Sequence, residues 1–583
     1  MTTDHLWRGR RICRTAQMQH MKRNAISDSA TCVHVDVIVP VHNASETIRE
    51  TVESALNQWI PTNLKGSSEE SIDCLSNIDI DVAVCCHDDG SKDGSLKILE
   101  QIQKKSSSLE KSDEMKSAST PPPPPVGASR RIRTRLLIGT NADGVARGAG
   151  YARNRATELR ARNDDPSSTP TPPTSSYLCL LDSDDIMHPF RIAEQLSAML
   201  SIPEGDDNRR ERTLMGCTFD RIPAGSTWHY SDWANGLSDD RLLLERYREV
   251  TLLQPTWFLS RMRFEEMGGY VEAPHPNAVE NNVSQKDTTG IDEDCKRKSS
   301  NEESNACSST RYRLIHAKHD TPHTLRLAED LRFFHEHLRA SGLLKLHRTA
   351  KSLVTYRHRA GESQSSSTPR KLLLNLRVMA FEDSILRTDP RWSESDFVIW
   401  GAGRDGKDFF KSLSPDLRGK VRCFVDVDEK KIAAGFYANP DLGVKIPIVH
   451  FSLLAKDPEV RRKCVEDDIS FGRITKGAKE ELISADSKSE CAQNDDENDG
   501  ATATTKKRQE KCTNHVDGMA SQPAKKRKLL HNLGSKDSKD LDMNSLTKLP
   551  VVVCVAMYRT NGALERNVKS IGRIEGIDLW HFS

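Results

Sequence analysis

The chain has 583 residues, 36% of them hydrophobic, with a mean hydropathy of -0.61, so it is too polar to fold throughout; two folded domains with disordered insertions fit better than the roughly four that length alone allows. Lys+Arg 85 against Asp+Glu 84 excludes a global basic field of the kind that marks a nucleic-acid binder. The 14 cysteines form no CxxC pair, which speaks against structural zinc and for a reducing compartment. No apolar run reaches the ~18 residues that span a membrane.

In chain order, residues 1–33 read as a flexible basic tail, without the apolar core of a secretory signal and with only a weak resemblance to a mitochondrial leader. Val35 to Val41 is a buried strand containing Pro40. Asn43 followed by Glu46 has the spacing of a helix start, after which Ile48, Val52, Ala55 and Leu56 share one face. A second unit repeats the plan: strand Ile80 to Cys86, turn Asp88-Asp89-Gly90-Ser91, helix through Leu96, Ile98, Leu99 and Ile102. Leu136 to Gly139 is a third strand. The glycine-rich stretch Asn141 to Asn154 follows; its glycines allow close backbone approach, and Arg153 suits a phosphate at a helix N-terminus. Strands alternating with helices imply a parallel sheet with ligands beyond the carboxyl ends of its strands, an edge that His42, Asp88 and Asp89 would share.

Tyr177 to Leu181 is a further buried strand, and Asp182-Ser183-Asp184-Asp185 follows at once. Carboxylates crowded there repel one another and need a compensating cation. Oxygen ligands favour Mg²⁺ or Mn²⁺, and Mg²⁺ is commonly held by one or two carboxylates plus substrate phosphates. The same residues also suit an acidic helix start, with Pro189 nearby.

The succession IVPVHNASETI, HDDGSKDGS, the stretch ending in YARN, and LLDSDDIMHPFR resembles the nucleotide-sugar half of family-2 glycosyltransferases of the GT-A fold. The resemblance implies a UDP-sugar donor contacted by Pro40, Asn43, Glu46, Asp88, Asp89, Arg153, Asp182 and Arg357, with the metal, Mn²⁺ or Mg²⁺, on Asp182 and Asp184. Arg263 to Tyr270 resembles the family's helix and Gly-Gly-aromatic turn, and Ala328 to Phe334 its Glu-Asp motif. Inverting members use a carboxylate there as general base, which falls on Asp330 first and Glu329 second. Read without the resemblance, the same pair is a solvated acidic helix turn. Tyr356-Arg357-His358-Arg359 resembles the closing motif with its histidine one place early, which leaves Arg357 as the phosphate ligand. The domain spans 34–370, with polar insertions expected to be disordered at about 103–130, 163–176 and 274–310.

A connecting helix over 371–395 leads to a smaller Rossmann-like α/β module, 396–455 with 549–583. Phe397 to Trp400 is a strand, Gly401 to Gly406 matches GxGxxG, and Val421 to Asp426 ends a second strand in an acid about 20 residues on. Gly403 and Gly406 are expected to be structural, and bound NAD is not expected. Residues 456–548 form a charged insertion read as disordered, in which Ala524 to Lys528 is a nuclear signal or a solvated basic run. Pro550 to Val555 returns a strand to the second sheet.

With EDLRFF, IWGAGRDGK, FVDVDEKKI and the terminal WHFS, the chain resembles a small group within family 2, the queuosine-tRNA galactosyltransferases. That resemblance implies transfer of galactose from UDP-galactose to queuosine in a tRNA anticodon, in the cytoplasm, with no membrane partner. Arg311, Arg313, Arg339, Lys345, His347, Arg348 and Lys351 flank the acceptor motif as possible phosphate contacts or as ordinary solvated faces. Other readings are a UDP-GlcNAc or UDP-hexose transferase with a glycan or protein acceptor, a dinucleotide-binding oxidoreductase, and a non-catalytic binding protein. The oxidoreductase leaves the Asp182 and Glu329 motifs idle.

Overall fold

The computed structural model describes residues 31–62, 75, 77–112, 124–164, 175–203, 208–274, 320–359, 368–470, 543–555 and 562–582. Most of the N-terminal tail, the interiors of the expected insertions, Arg311, Arg313 and Ala524 to Lys528 lie outside them. The chain divides into two units, Met1–Leu243 with Val250–Leu373, and Leu244–Glu249 with Leu374–Ser583.

In the first unit, β1 (Thr31–Val41) is followed by α1 (Ile48–Leu56), β2 (Trp59–Pro61), β3 (Ile78–Asp88), α2 (Ser95–Ser112), β4 (Ala128–Arg131), β5 (Arg133–Thr140), α3 (Ala149–Thr157) and α4 (Leu159–Asn163). Then come β6 (Ser175–Leu180), β7 (Ile186–Met187), α5 (Arg191–Leu200), β8 (Thr213–Cys217), β9 (Phe219–Ile222), β10 (Phe258–Ser260), α6 (Arg261–Met267), α7 (Glu329–Arg339), β11 (Leu343–His347) and β12 (Val354–Arg357). The main sheet has seven strands in the order β11-β8-β10-β6-β1-β3-β5. Only β10 among them runs antiparallel to its neighbours. Central β1 reads as a near-continuous β-branched run because both faces are covered: Val33, Val35, Val37, Val39 and Val41 are buried on one face and Ile38 on the other. Register places Val41 opposite Asp88 and Ile38 opposite Leu180, so the carboxyl ends of β3, β1 and β6 meet on one edge. A three-stranded sheet, β7-β12-β9, stands beside the turn after β6.

Strand pairing shortens the expected insertions. Helix α2 continues through Ser112, and Ala128–Arg131 pairs antiparallel with Trp59–Pro61, so regular structure reaches into both ends of the span expected to be disordered over 103–130, whose middle lies outside the described residues. Strand β6 begins at Ser175 because Ser175 pairs with Val33, and β1 itself begins at Thr31. Such pairing is invisible to a reading based on composition.

The second unit holds β13 (Phe397–Trp400), α8 (Arg404–Ser412), β14 (Val421–Asp426), α9 (Glu429–Ala433), β15 (Phe436–Asn439), β16 (Val444–His450), α10 (Pro458–Ser470), β17 (Val551–Val553), α11 (Ala563–Ser570) and β18 (Leu579–His581). Its six strands lie in the order β15-β16-β14-β13-β17-β18, parallel except for β15. Helix α10 and a short helix at Met543–Leu546 occupy part of the span expected to be a disordered insertion; buried Asp468 anchors α10 by accepting from His450 Nε2 at 3.1 Å. The single connecting helix expected over 371–395 is instead three segments, Arg370–Phe381, a π-helical turn Glu382–Leu386, and Pro390–Ser393, the last begun by Pro390 and capped by Asp389. Gly406 is structural, since a Cβ there would lie 1.9 Å from the Gly401 carbonyl oxygen. Gly403, against expectation, meets nothing nearer than Lys431 Nζ at 3.9 Å.

A buried ion network ties the first sheet to the helices beneath it. Arg160 on α4 donates to Asp36 of β1 and to Asp81 of β3, each at 2.5 Å, and Arg261 also pairs with Asp36. Burial works to raise the Asp81 carboxyl, but the hydrogen bond and charge of Arg160, with Arg135 and Arg133, hold it below its usual range. Replacing Arg160 with Met should cost about 3–5 kcal/mol, because it strands buried carboxylates. A carboxyl with a lowered folded pKa contributes its stability above the unfolded value, about 4, and loses it as pH falls through the folded value. The thermal-midpoint gap between wild type and Arg160→Met should therefore be full at pH 7 and narrow in acid. Equal midpoints at pH 7 would refute the network's role.

Candidate active site

The turn after β1 is knitted to the turn after β3. Asn43, in a left-handed conformation (φ 50°), accepts from Lys92 N at 2.9 Å and donates its own N–H to Ser91 Oγ at 2.9 Å. Asn43 therefore does not start a helix with Glu46: α1 begins at Ile48 behind Thr47, and Glu46 is exposed. Pro40 is buried in β1 opposite His87. His42 Nδ1 lies 2.8 Å from the Asp89 carbonyl oxygen.

The two aspartates after β3 separate by their partners. The Asp89 carboxylate accepts from Asn141 Nδ2, Arg147 N and Gly148 N at 2.7–2.9 Å, and so anchors the glycine-rich loop. Asp88 Oδ2 accepts from Ser91 N at 3.1 Å, while its Oδ1 is buried and has no hydrogen-bond partner. An orphaned buried acceptor costs about 1–3 kcal/mol, so Asp88 is the member of the pair left with a bond to make.

The Asp182–Asp185 turn is gripped by Thr47 at the N-cap of α1 and Thr51 within it, whose hydroxyls both donate to the Ser183 carbonyl at 3.0 Å. It caps no helix, since α5 begins only at Arg191 behind Phe190. Burial, and then the charge of Asp182, push the Asp184 carboxyl up to about 6. Burial also raises Asp185 well above the usual range, with Asp182 and Asp184 adding to it. Asp185 Oδ1 accepts from Arg357 N at 2.8 Å; its Oδ2 has no partner. The Arg357 guanidinium turns away to Glu50 at 2.7 Å, and Arg359 Nε instead stands 3.8 Å from Asp184. The sequence points to Arg357, whose backbone N–H holds Asp185; Arg359, just beyond the end of β12, is the guanidinium nearer Asp184. Among the described residues no group of three or more His, Cys, Asp or Glu is arranged to hold a metal. What the turn offers a cation is the pair Asp182 and Asp184, with ligand oxygens to complete the shell.

Arg153, expected at a phosphate, instead donates to Asp182 Oδ1 at 2.6 Å and to Glu329 Oε1 at 2.7 Å. Burial works against its charge, but Asp182 and Glu329 outweigh it and keep the guanidinium protonated. Glu329, at the start of α7, is buried; its neighbour Asp330 is half-buried and accepts from Leu331 N at 2.7 Å. The glycines set how near these elements come. A Cβ on Gly150 would lie 3.2 Å from Tyr270 Cβ and 3.3 Å from Glu329 Cβ, so α3 and α7 meet through it. Asn154 then clamps the Gly-Gly-aromatic turn, accepting from Tyr270 N and donating to Tyr270 O, both at 2.8 Å. Gly269 (φ 77°) has no room for a Cβ, which would sit 2.6 Å from Asn154 Oδ1. Of the basic residues flanking the acceptor motif, Arg339, His347 and Arg348 already hold Glu336, Glu194 and the Leu237 carbonyl.

Residues 36–112, from β1 to the end of α2, match the model of the Glycosyl transferase family 2. Among solved structures, Staphylococcus aureus TarS 1-349 in complex with UDP-GlcNAc is 13% identical at a TM-score of 0.32, covering 67% of this chain and 84% of that one. The mannosyltransferase PcManGT from Pyrobaculum calidifontis in complex with GDP-Man and Mn²⁺ is 11% identical at a TM-score of 0.29, covering 64% and 70%.

Replacing Asp89 with Ala should free the glycine-rich loop, since it deletes bonds to Arg147 N and Gly148 N and leaves those groups without their acceptor. Trypsin should cut after Arg147 faster than in the wild type, whereas Asp88→Ala should leave that rate unchanged. Equal rates in wild type and Asp89→Ala would contradict the anchoring role.

Proposed function

We propose that this chain, a family-2 glycosyltransferase enzyme by its match over residues 36–112, transfers a hexose from a nucleotide-sugar donor by a metal-assisted single displacement that inverts the anomeric centre. In its finer form the reading takes UDP-galactose as donor and queuosine in a tRNA anticodon as acceptor, in the cytoplasm. The observation that carries it is the Arg153 bridge: one guanidinium joins Asp182 on the donor edge to Glu329 beside Asp330. Groups suited to a diphosphate and to a hydroxyl proton are thereby brought to one centre.

The residues fit a divalent cation. A carboxyl pushed up to about 6 at Asp184, beside an orphaned oxygen of Asp185, marks negative charge without its compensation. Asp182 and Asp184 would hold the ion together with donor phosphates. When bound, such an ion neutralises charge developing on the leaving diphosphate. The chain's own residues do the rest. The orphaned Asp88 Oδ1 accepts a nucleobase N–H, as uracil provides. Arg359 adds positive charge beside Asp184. Glu329, held by Arg153, positions the start of α7, and Asp330 removes the acceptor proton as the hydroxyl attacks the anomeric carbon. The choice of galactose and queuosine is supported by the resemblance of Glu329 to Phe334 and of Ile399 to Lys407 to that group. No helix among the described residues is long and apolar enough to cross a membrane.

Mass spectrometry of tRNA nucleosides from cells with and without the protein tests the acceptor. A hexose-bearing queuosine should vanish with the protein, and an unchanged nucleoside profile would overturn the assignment. Asp184→Ala should abolish turnover without lowering the thermal midpoint, because a carboxyl with a raised folded pKa destabilises the fold at neutral pH. Chelation by EDTA should silence the wild type equally; full activity in EDTA would remove the metal from the mechanism. Asp330→Asn keeps size and hydrogen bonding but cannot take a proton, so transfer should fall by about 10² to 10⁴ while donor binding persists. Wild-type turnover in Asp330→Asn, or a product of retained configuration, would show the base to be misplaced.

A further inference from the structure

The second unit is wound outward from β13 in both directions, with β14 and β16 on one side and β17 and β18 on the other. In a parallel sheet of this kind, ligands bind in the crevice beyond the carboxyl ends of the strands where the order reverses, here β13 and β17. A cavity of about 700 Å³ occupies that place. Its walls are Gly401 and Gly403 after β13, Asp428 and Lys431 after β14, and Leu564 and Asn567 of α11.

The three glycines of the GxGxxG turn are glycine for different reasons. Gly401 (φ 113°) adopts a backbone that L side chains rarely reach, and Gly406 abuts the Gly401 carbonyl. Gly403 has an ordinary extended backbone (φ -82°, ψ -165°), and a Cβ on it would point into the cavity, 3.9 Å from Lys431 Nζ. Neither conformation nor packing within the protein calls for glycine there. It stands at the N-cap of α8, whose first N–H groups have no partner inside the helix.

Asp426, the acid that the fingerprint assigns to a ribose, is already saturated. It accepts from Ala402 N at 2.8 Å, Val427 N at 2.9 Å, Asp428 N at 3.0 Å and Lys431 Nζ at 3.0 Å, which uses about all the sites a carboxylate has. Its work is to hold the glycine turn and to fix Lys431 over the start of α8. Asp428 lines the same wall; one of its oxygens caps Lys430 N and the other lies 3.6 Å from Lys431 Nζ. Arg404, 3.4 Å from Asp405, offsets that carboxylate's charge beside the helix start.

We infer that this cleft binds a nucleoside diphosphate group, with its phosphates on the first turn of α8 and Lys431, its sugar hydroxyls on Asp428, and its base in the cavity. Dinucleotide cofactors and nucleotide sugars both carry that group, and NAD in particular lacks its usual acidic ribose ligand here.

Equilibrium dialysis of the full chain against NAD, ADP and UDP, separately, in wild type and Gly403→Val, tests the inference. Uptake by the first unit is common to both proteins and cancels. Gly403→Val should bind one of these probes about tenfold or more weakly at a site the wild type fills, and the probe affected identifies the source. Its thermal midpoint should match the wild type, while Gly406→Ala, with its Cβ against a carbonyl, should melt lower. Identical uptake of all three probes by wild type and Gly403→Val would overturn the inference, as would a Gly403→Val midpoint lowered to that of Gly406→Ala. Sugar transfer is never read in this comparison, so its failure leaves the first unit's proposed chemistry untouched.

Discussion

One buried arginine ties together the elements of the first unit's candidate site. A guanidinium out of water is tolerable only when its charge is met at short range, and Arg153 meets two carboxylates from different elements, Asp182 after β6 and Glu329 on α7. Removing the guanidinium would strand both carboxylates, so the three residues hold one geometry together. Because Arg153 belongs to α3, the position of that helix sets the distance between the Asp182 turn and the start of α7. Gly150 permits the approach and Asn154 locks the neighbouring turn. The glycine-rich stretch packs these elements together through Gly150 and Asn154.

Around this fixed bridge the aspartates are left electrostatically incomplete. Thr47 and Thr51 pin the Ser183 carbonyl, and β12 delivers Arg357 N to Asp185, so the turn cannot relax to spread its charges. Burial first, and then the neighbouring aspartates, raise the Asp184 and Asp185 carboxyls there.

Much of the fold was legible because buried parallel strands write themselves as β-branched runs. Phe397–Trp400 and Val421–Asp426 have in the structure the limits their sequence suggests, β1 and β3 extend theirs by a few residues through pairing with neighbours, and β6 begins two residues earlier and ends one earlier than expected. Pairing across long sequence separations, such as Trp59–Pro61 with Ala128–Arg131, carries no local signal and was missed. The site was legible as a set of motifs but not as a set of partners. Nothing in HDDGS says that Asp89 anchors a loop while Asp88 keeps an orphaned oxygen, and nothing in YRHR says that Arg359 stands nearest Asp184 while Arg357 pairs with Glu50. Those distinctions follow from side-chain direction, which is settled only when the strands are assembled.

We propose that the Asp182 and Glu329 carboxylates act as one unit through Arg153. A double-mutant cycle on kcat/KM for sugar transfer, with Asp182→Asn, Glu329→Gln and the pair, measures it most directly. The two substitutions should be strongly non-additive, with a coupling of about 0.5–3 kcal/mol, because each disturbs the same guanidinium. Additive losses would mean that the two carboxylates work independently and that the bridge does not organise the site.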